Sequence, residues 1–307
     1  MALYVKVGTY TGDGSGSNRA ITGIGFQPKV VLLRGAASGS QYRIDSMPAT
    51  NSKTFDSFTA LNTNKIVSLD SDGFTVGVDA TKGSSCNFSA TPYHYIALGG
   101  DSSEIATGTY TGDGTDDRDV VTSLSFQPDM VLITGSPQYT VLRTSAILAA
   151  TDETWHINNT TFFANGIQQV LSNGFQVGTH AAVNTSADAY YWFAIKSTAG
   201  IAEVGTYTGD ASSPRDITGV TTFQPNFVLS VSKTNAAYGS FKYSTMPSTT
   251  GLVAIQASLS GPDYVRGFLS DGFSIGSHIN GSGVPFYFMA FKENAPSTSS
   301  SNFLMFM

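Results

Sequence analysis

The chain has 307 residues, of which 41% are hydrophobic and 12% aromatic, enough to fill packed cores and to exclude a disordered polypeptide. Charged residues make up only 12%, and a formal net charge of −6 argues against a general nucleic-acid binder. The lone cysteine, Cys86, excludes an internal disulfide framework, and no apolar run reaches the roughly 18 residues that a membrane-spanning helix needs. Met1 leads directly into Ala2-Leu3-Tyr4-Val5-Lys6-Val7 with no basic segment followed by a long apolar one. The expectation is synthesis in a cytoplasm without a secretory signal.

In chain order, Tyr4 to Thr11 alternates with period two and stops at Gly12-Asp13-Gly14, which reads as a strand ending in a hairpin turn. Arg19-Ala20-Ile21-Thr22 follows, and then Phe26-Gln27-Pro28. The apolar run Val30-Val31-Leu32-Leu33 reads as a buried central strand, with Pro28 before it because proline cannot donate to a ladder. Ser71-Asp72-Gly73-Phe74-Thr75-Val76 supplies a tight Asp-Gly turn and a short strand, and Tyr93-His94-Tyr95-Ile96-Ala97-Leu98 an aromatic closing strand.

The same order then recurs twice. Gly8-Thr9-Tyr10-Thr11-Gly12-Asp13 returns as Gly108–Asp113 and Gly205–Asp210, offset by 100 and 97 residues. Phe-Gln-Pro returns at Phe126 and Phe223, the turn at Asn173-Gly174 and Asp271-Gly272, and the aromatic strand at Tyr190–Ile195 and Phe286–Phe291. Ala146–Ala150 is the one tempting helical stretch and is too short. Short strands punctuated by turns predict an all-β chain of three tandem homologous β-sandwich domains, 1–100, 101–199 and 200–293, forming a single-chain pseudo-trimer with a C-terminal tail, 294–307. Charge is unequal. The first hundred residues carry 8 Lys/Arg against 6 Asp/Glu, the second 3 against 10, and the remainder 5 against 6, so the second repeat alone stands at −7.

The succession Gly-Thr-Tyr-Thr-Gly-Asp, Ile-Thr-Gly, Phe-x-Pro-x-x-Val, Met-Pro, Asp-Gly-Phe-x-Val and Tyr-x-Tyr-x-Ala resembles β-sandwich repeat domains in structural proteins of tailed bacteriophages. The Met-Pro segment is present at Met47-Pro48 and Met246-Pro247, whereas the second repeat has Arg143-Thr144-Ser145-Ala146 there. The resemblance implies a virion structural role without catalysis, hence a virion location, no cofactor, and capsid or tail proteins as partners.

Candidate chemistry is sparse. Asp13, Asp113 and Asp210 read as turn caps, since one carboxylate per loop is too few for calcium; Asp116-Asp117-Arg118-Asp119 reads as a solvated acidic loop. His180 and His278 occupy equivalent positions with Asp79 nearby in the first repeat, a set that would form a metal site only if it converged on a threefold axis. His94 and His156 read as packing or rim residues, Gly12–Gly16 as a hairpin and not a phosphate loop, and Cys86 as a packed thiol. Tyr139, Trp155, Phe162, Phe163 and Tyr264 lie in the variable middle segments and are candidate glycan contacts. The apolar end Phe303-Leu304-Met305-Phe306-Met307 is expected to dock on the body or on a partner. The leading functional expectation is a capsid decoration or cement protein; the alternative is a tail-tip module recognising host surface glycans.

Overall fold

The computed structural model describes residues 3–35, 39–55, 58–78, 86–121, 124–147, 151–157, 162–233, 239–253 and 261–296. The protein is all-β with antiparallel sheets, apart from a one-turn helix at Ala181–Asn184 and a short 3-10 turn at Ser277–Ile279. The apolar end from Phe303, Asp79, and residues 148–150 of the short alanine-rich stretch lie outside the described residues.

One strand order is written three times. In the first segment a larger sheet runs Leu3–Thr11, Pro92–Gly100, Val30–Gly35, Gln41–Ile44, Asn51–Thr54 and Asn62–Thr63. A smaller one runs Arg19–Thr22, Gly73–Val76, Ile66–Asp70. The second segment repeats this from Ile105–Thr111 through Ala189–Ile195 to Met130–Gly135, and the third from Ala202–Thr208 through Pro285–Phe291 to Phe227–Ser232. The Asp-Gly and Asn-Gly turns form the hairpins of the small sheets. Gly12–Gly14 does not form a hairpin, contrary to the sequence expectation. The strand Leu3–Thr11 pairs with the aromatic closing strand, and Arg19–Thr22 pairs with Gly73–Val76, so this turn carries the chain from one sheet to the other.

Strand alternation explains why the central runs are apolar at every position. Val31 and Leu33 face the small sheet of their own segment, while Val30 and Leu32 face the opposite way. Val131 and Ile133 against Met130 and Leu132 repeat this division, as does Val228 against Phe227 and Leu229. Each segment thus has a core between its two sheets. The backs of the three large sheets meet in one further cluster that draws on all three segments. A sheet buried on both faces needs continuous rather than alternating hydrophobicity. Where the three backs meet, a cavity of about 50 Å³ remains, lined only by apolar side chains such as Leu32, Leu132 and Leu229.

Two glycines of the recurring motif are required by close approach. A Cβ on Gly8, Gly108 or Gly205 would lie 2.3, 2.5 or 2.6 Å from the ring of Tyr95, Trp192 or Phe288 on the paired strand. A Cβ on Gly12, Gly112 or Gly209 would meet a backbone oxygen at 2.1, 2.0 or 2.0 Å.

Contacts between segments run in one direction. From first to second, the Tyr42 hydroxyl lies 2.6 Å from Thr140 Oγ1, and Lys53 Nζ donates to the Gly135 carbonyl. From second to third, Trp155 packs against Gly239, Phe162 lies 5.5 Å from Tyr287, and Glu153 pairs with Lys233 at 2.8 Å. From third to first, Thr245 Oγ1 lies 2.8 Å from His94 Nδ1, and Glu293 pairs with Lys6 at 2.9 Å. The junctions match as well. Ile105 N donates to Asp101 O at 3.1 Å and Ala202 N to Thr198 O at 2.9 Å, each across a continuous three-residue link. Val5 N donates to Asn294 O at 3.0 Å in the same arrangement without that link.

Candidate functional site

The most regular polar constellation is built three times where the chain passes between sheets. Asp13 Oδ1 accepts the Ser15 N–H at 2.8 Å, as a turn-capping aspartate does. Asn87 holds that loop, its Oδ1 accepting the Asp13 N–H and its Nδ2 donating to Asp13 Oδ1. Arg19 pairs with Asp13 at 3.4 Å, donates to Thr11 O and Asn87 Oδ1, and lies over the Tyr10 ring. Asp113, Asn184, Arg118 and Thr111 reproduce these contacts, as do Asp210, Asn280, Arg215 and Thr208. Hydrogen bonds from Ser212, first from its hydroxyl and then from its backbone, hold the Asp210 carboxyl down at about 2. The aspartate, asparagine and arginine of each clasp are bonded to one another. The clasp fastens each loop.

The asparagines and arginines of the clasp were not singled out from the sequence. The signal is present: an Asn follows the motif aspartate by 74, 71 and 70 residues. Such long offsets emerge only when the three copies are aligned over their whole length.

Among the glycan candidates, Trp155 is corrected. It is 0% exposed, because it sits on the inward face of its sheet in the position that Lys53 and Leu252 hold in the other segments. Tyr139, Phe162 and Tyr264 are half-buried. Tyr264 stacks on His278 at 5.0 Å, and Phe162 leans on Tyr287. Tyr139 belongs to a larger grouping. A chain of rings runs from Phe58, which is 52% exposed, to Tyr139 at 5.0 Å, on to His156 at 4.3 Å, Phe163 at 5.6 Å and His180 at 4.1 Å. It crosses from the first segment to the second and ends half-buried at His180. Sequence reasoning missed Phe58, since a single phenylalanine in a polar loop carries no pattern.

The histidines do not converge. His180 Nδ1 accepts the Ala182 N–H at 3.1 Å as a helix cap, and its ring lies on Phe163, whereas His278 lies on Tyr264 of the third segment. Burial lowers the His180 pKa below the usual histidine value. Among the described residues no group of three or more His, Cys, Asp or Glu side chains is placed to hold a metal ion. Cys86 is buried, as is His94, whose pKa is lowered first by burial and then by Lys242.

A family model described as a domain of unknown function (DUF7483) matches residues 2–98 and 104–295. The chain belongs to that family. The matched stretches break between Leu98 and Glu104, at the link between the first two segments, and otherwise cover every strand of the fold. No curated protein matches the chain. The DUF7483 description carries no activity, so a functional reading of this member rests on its own geometry.

Proposed function

We propose that this DUF7483 protein is a non-enzymatic structural component of a bacteriophage virion, a single-chain pseudo-trimer of β-sandwich domains that decorates or cements the particle surface. The observation that carries this reading is the circuit of contacts from first to second to third to first segment around one shared apolar core. Head-to-tail interfaces that close produce a ring, and three tethered units present a threefold surface without the entropic cost of assembling separate subunits. Such a surface complements the threefold and quasi-threefold sites of a particle. The resemblance to phage β-sandwich repeats points the same way. Major capsid or tail proteins are the partners this reading requires.

The test uses particles produced without the protein. Purified protein is added back, the particles are sedimented, and bound copies are counted. Saturable binding at one copy per threefold or quasi-threefold site is expected. Failure to bind, together with its absence from particles made with the gene intact, overturns the reading. The ring chain from Phe58 to His180 favours a second reading, a tail-tip module whose aromatic faces stack on host surface sugars. Under it, host-cell binding falls in Phe58→Ala and Tyr139→Ala, and particle binding is confined to the tail.

A further inference from the structure

One position of the closing strand faces the preceding segment in each part of the ring. His94 stands between Thr9 and Arg34 of the flanking strands, Tyr191 between Thr109 and Thr134, and Tyr287 between Thr206 and Val231, so the three are equivalent. Strand alternation puts them on the side of Ile96, Phe193 and Met289, which belong to the cluster common to all segments. Pro92–Gly100 accordingly lies against Ser240–Tyr243 of the third segment, and Ala189–Ile195 against Gln41–Ile44 of the first. Tyr287 meets Phe162 of the second.

Two seams therefore carry a tyrosine and one a histidine. The histidine marks the seam that differs in a second respect. The polypeptide itself joins first to second segment through 101–105 and second to third through 198–202, whereas among the described residues the third is held to the first by non-covalent contacts.

His94 sits where a proton is unwelcome. It is 7% exposed, its ring stacks on Tyr243 at 6.2 Å, and its Nδ1 lies 2.8 Å from Thr245 Oγ1, both across the seam. The strand Leu3–Thr11 contributes only Thr9 beside it. The ionisable groups around it are Arg34 on the other flanking strand, itself 1% exposed, and Tyr243 and Lys242 of the third segment. Arg34 donates to Ser40 Oγ, and Lys242 to the Pro247 and Thr250 carbonyls, so both bring positive charge into the same buried region. Burial first, and then Lys242, hold the His94 pKa below the ordinary 6.5, and among the described residues no carboxylate acts on it. The parted seam thus takes up a proton that the closed one refuses. Closure is complete above 6.5 and weakens as pH falls through the lowered value. At the other seams burial raises Tyr191 and Tyr287 above the ordinary 10.0, so neither changes charge in acid. One ionisation is small against the apolar area of the shared core, which confines the effect to this seam and keeps the ring together.

We propose that His94 makes the third-to-first seam an acid-sensitive latch, in which protonation loosens Pro92–Gly100 from Ser240–Tyr243 while the other two seams stay shut. The proposal does not rest on attachment to a virion.

The experiment is hydrogen exchange read by mass spectrometry on the full-length protein at about pH 7.5 and about pH 5.5, corrected for the intrinsic exchange rate. On acidification, peptides covering 92–98 and 240–246 should lose roughly tenfold more protection than those covering 189–195 and 41–47, or 285–291 and 141–147. His94→Tyr, which installs the residue of the other two seams, should abolish the difference. His94→Gln, neutral and still able to pair with Thr245, should do the same and decides the matter if a tyrosine is not accommodated beside Arg34. Protection that does not change with pH overturns the proposal. So does a loss spread evenly over the three seams, or one that persists in His94→Gln.

Discussion

Trp155→Ala tests how far the three segments depend on their common core. The side chain is fully buried in the cluster drawn from all three large sheets, and it fills the space left by Gly239 of the third segment. Truncating a buried tryptophan typically costs about 3–5 kcal/mol, the transfer term plus the cavity left behind. Part of that is offset here. The indole Nε1 is buried without a hydrogen-bond partner, and removing such a group recovers on the order of 1–3 kcal/mol. A net loss centred on about 2 kcal/mol remains, which at roughly 2–4 °C per kcal/mol lowers the melting temperature by about 4–8 °C. Differential scanning calorimetry is the assay. Because the lost contacts belong to a core that every segment shares, the whole heat-absorption peak should move as one. Resolved transitions of which only one shifts, or a shift below about 1 °C, would refute the reasoning.

Asn184→Ala should cost about 2–4 kcal/mol in urea unfolding, since a fully buried amide serves Asp113, Thr115 O and Arg118 together; Asp113→Ala, on the exposed side of the same clasp, should cost clearly less. Hydrogen bonds depress the folded-state pKa of Asp13, Asp113 and Asp210, so their contribution to stability is complete above the ordinary aspartate value of 3.8 and is lost as pH falls, through about 2 for Asp210. Urea midpoints measured from pH 5 to 2 should fall less steeply in Asp210→Asn. Burial lowers Lys53 and Lys242 to about 8, so between about pH 8 and 10 the unfolded chain binds more protons than the folded one and stability rises with pH. Lys242→Met should flatten that rise, and a wild-type curve without it would contradict the burial of these ammonium groups.

Much of the fold is legible in the sequence because its signals are local. Asp72-Gly73 and its counterparts specify hairpins, and Val30–Leu33 is apolar at consecutive positions because both faces of its strand are covered. The failures are equally physical. Gly12-Asp13-Gly14 has hairpin chemistry, but its strand is claimed by the closing aromatic strand some 84 residues away, and the loop becomes a crossing held by Asn87. Trp155 lies in a variable segment, which suggests a surface; nothing in the sequence says which side of a six-stranded sheet faces the other segments. Phe58 depends on side chains meeting across a segment boundary, and that leaves no pattern in one dimension.

Circular permutation addresses the central claim most directly. Joining Asn294 to Val5 through three residues, as at 101–105 and 198–202, and opening the chain between Thr198 and Ala202 relocates the break to an equivalent junction. If the ring is closed, the permutant folds to the same near-ultraviolet circular dichroism spectrum and melts in a single transition within a few degrees of the parent. A permutant that is soluble but melts in separate steps, or that never acquires the parent spectrum, would mean that the three segments form a row and that the contact between Val5 and Asn294 does not close it.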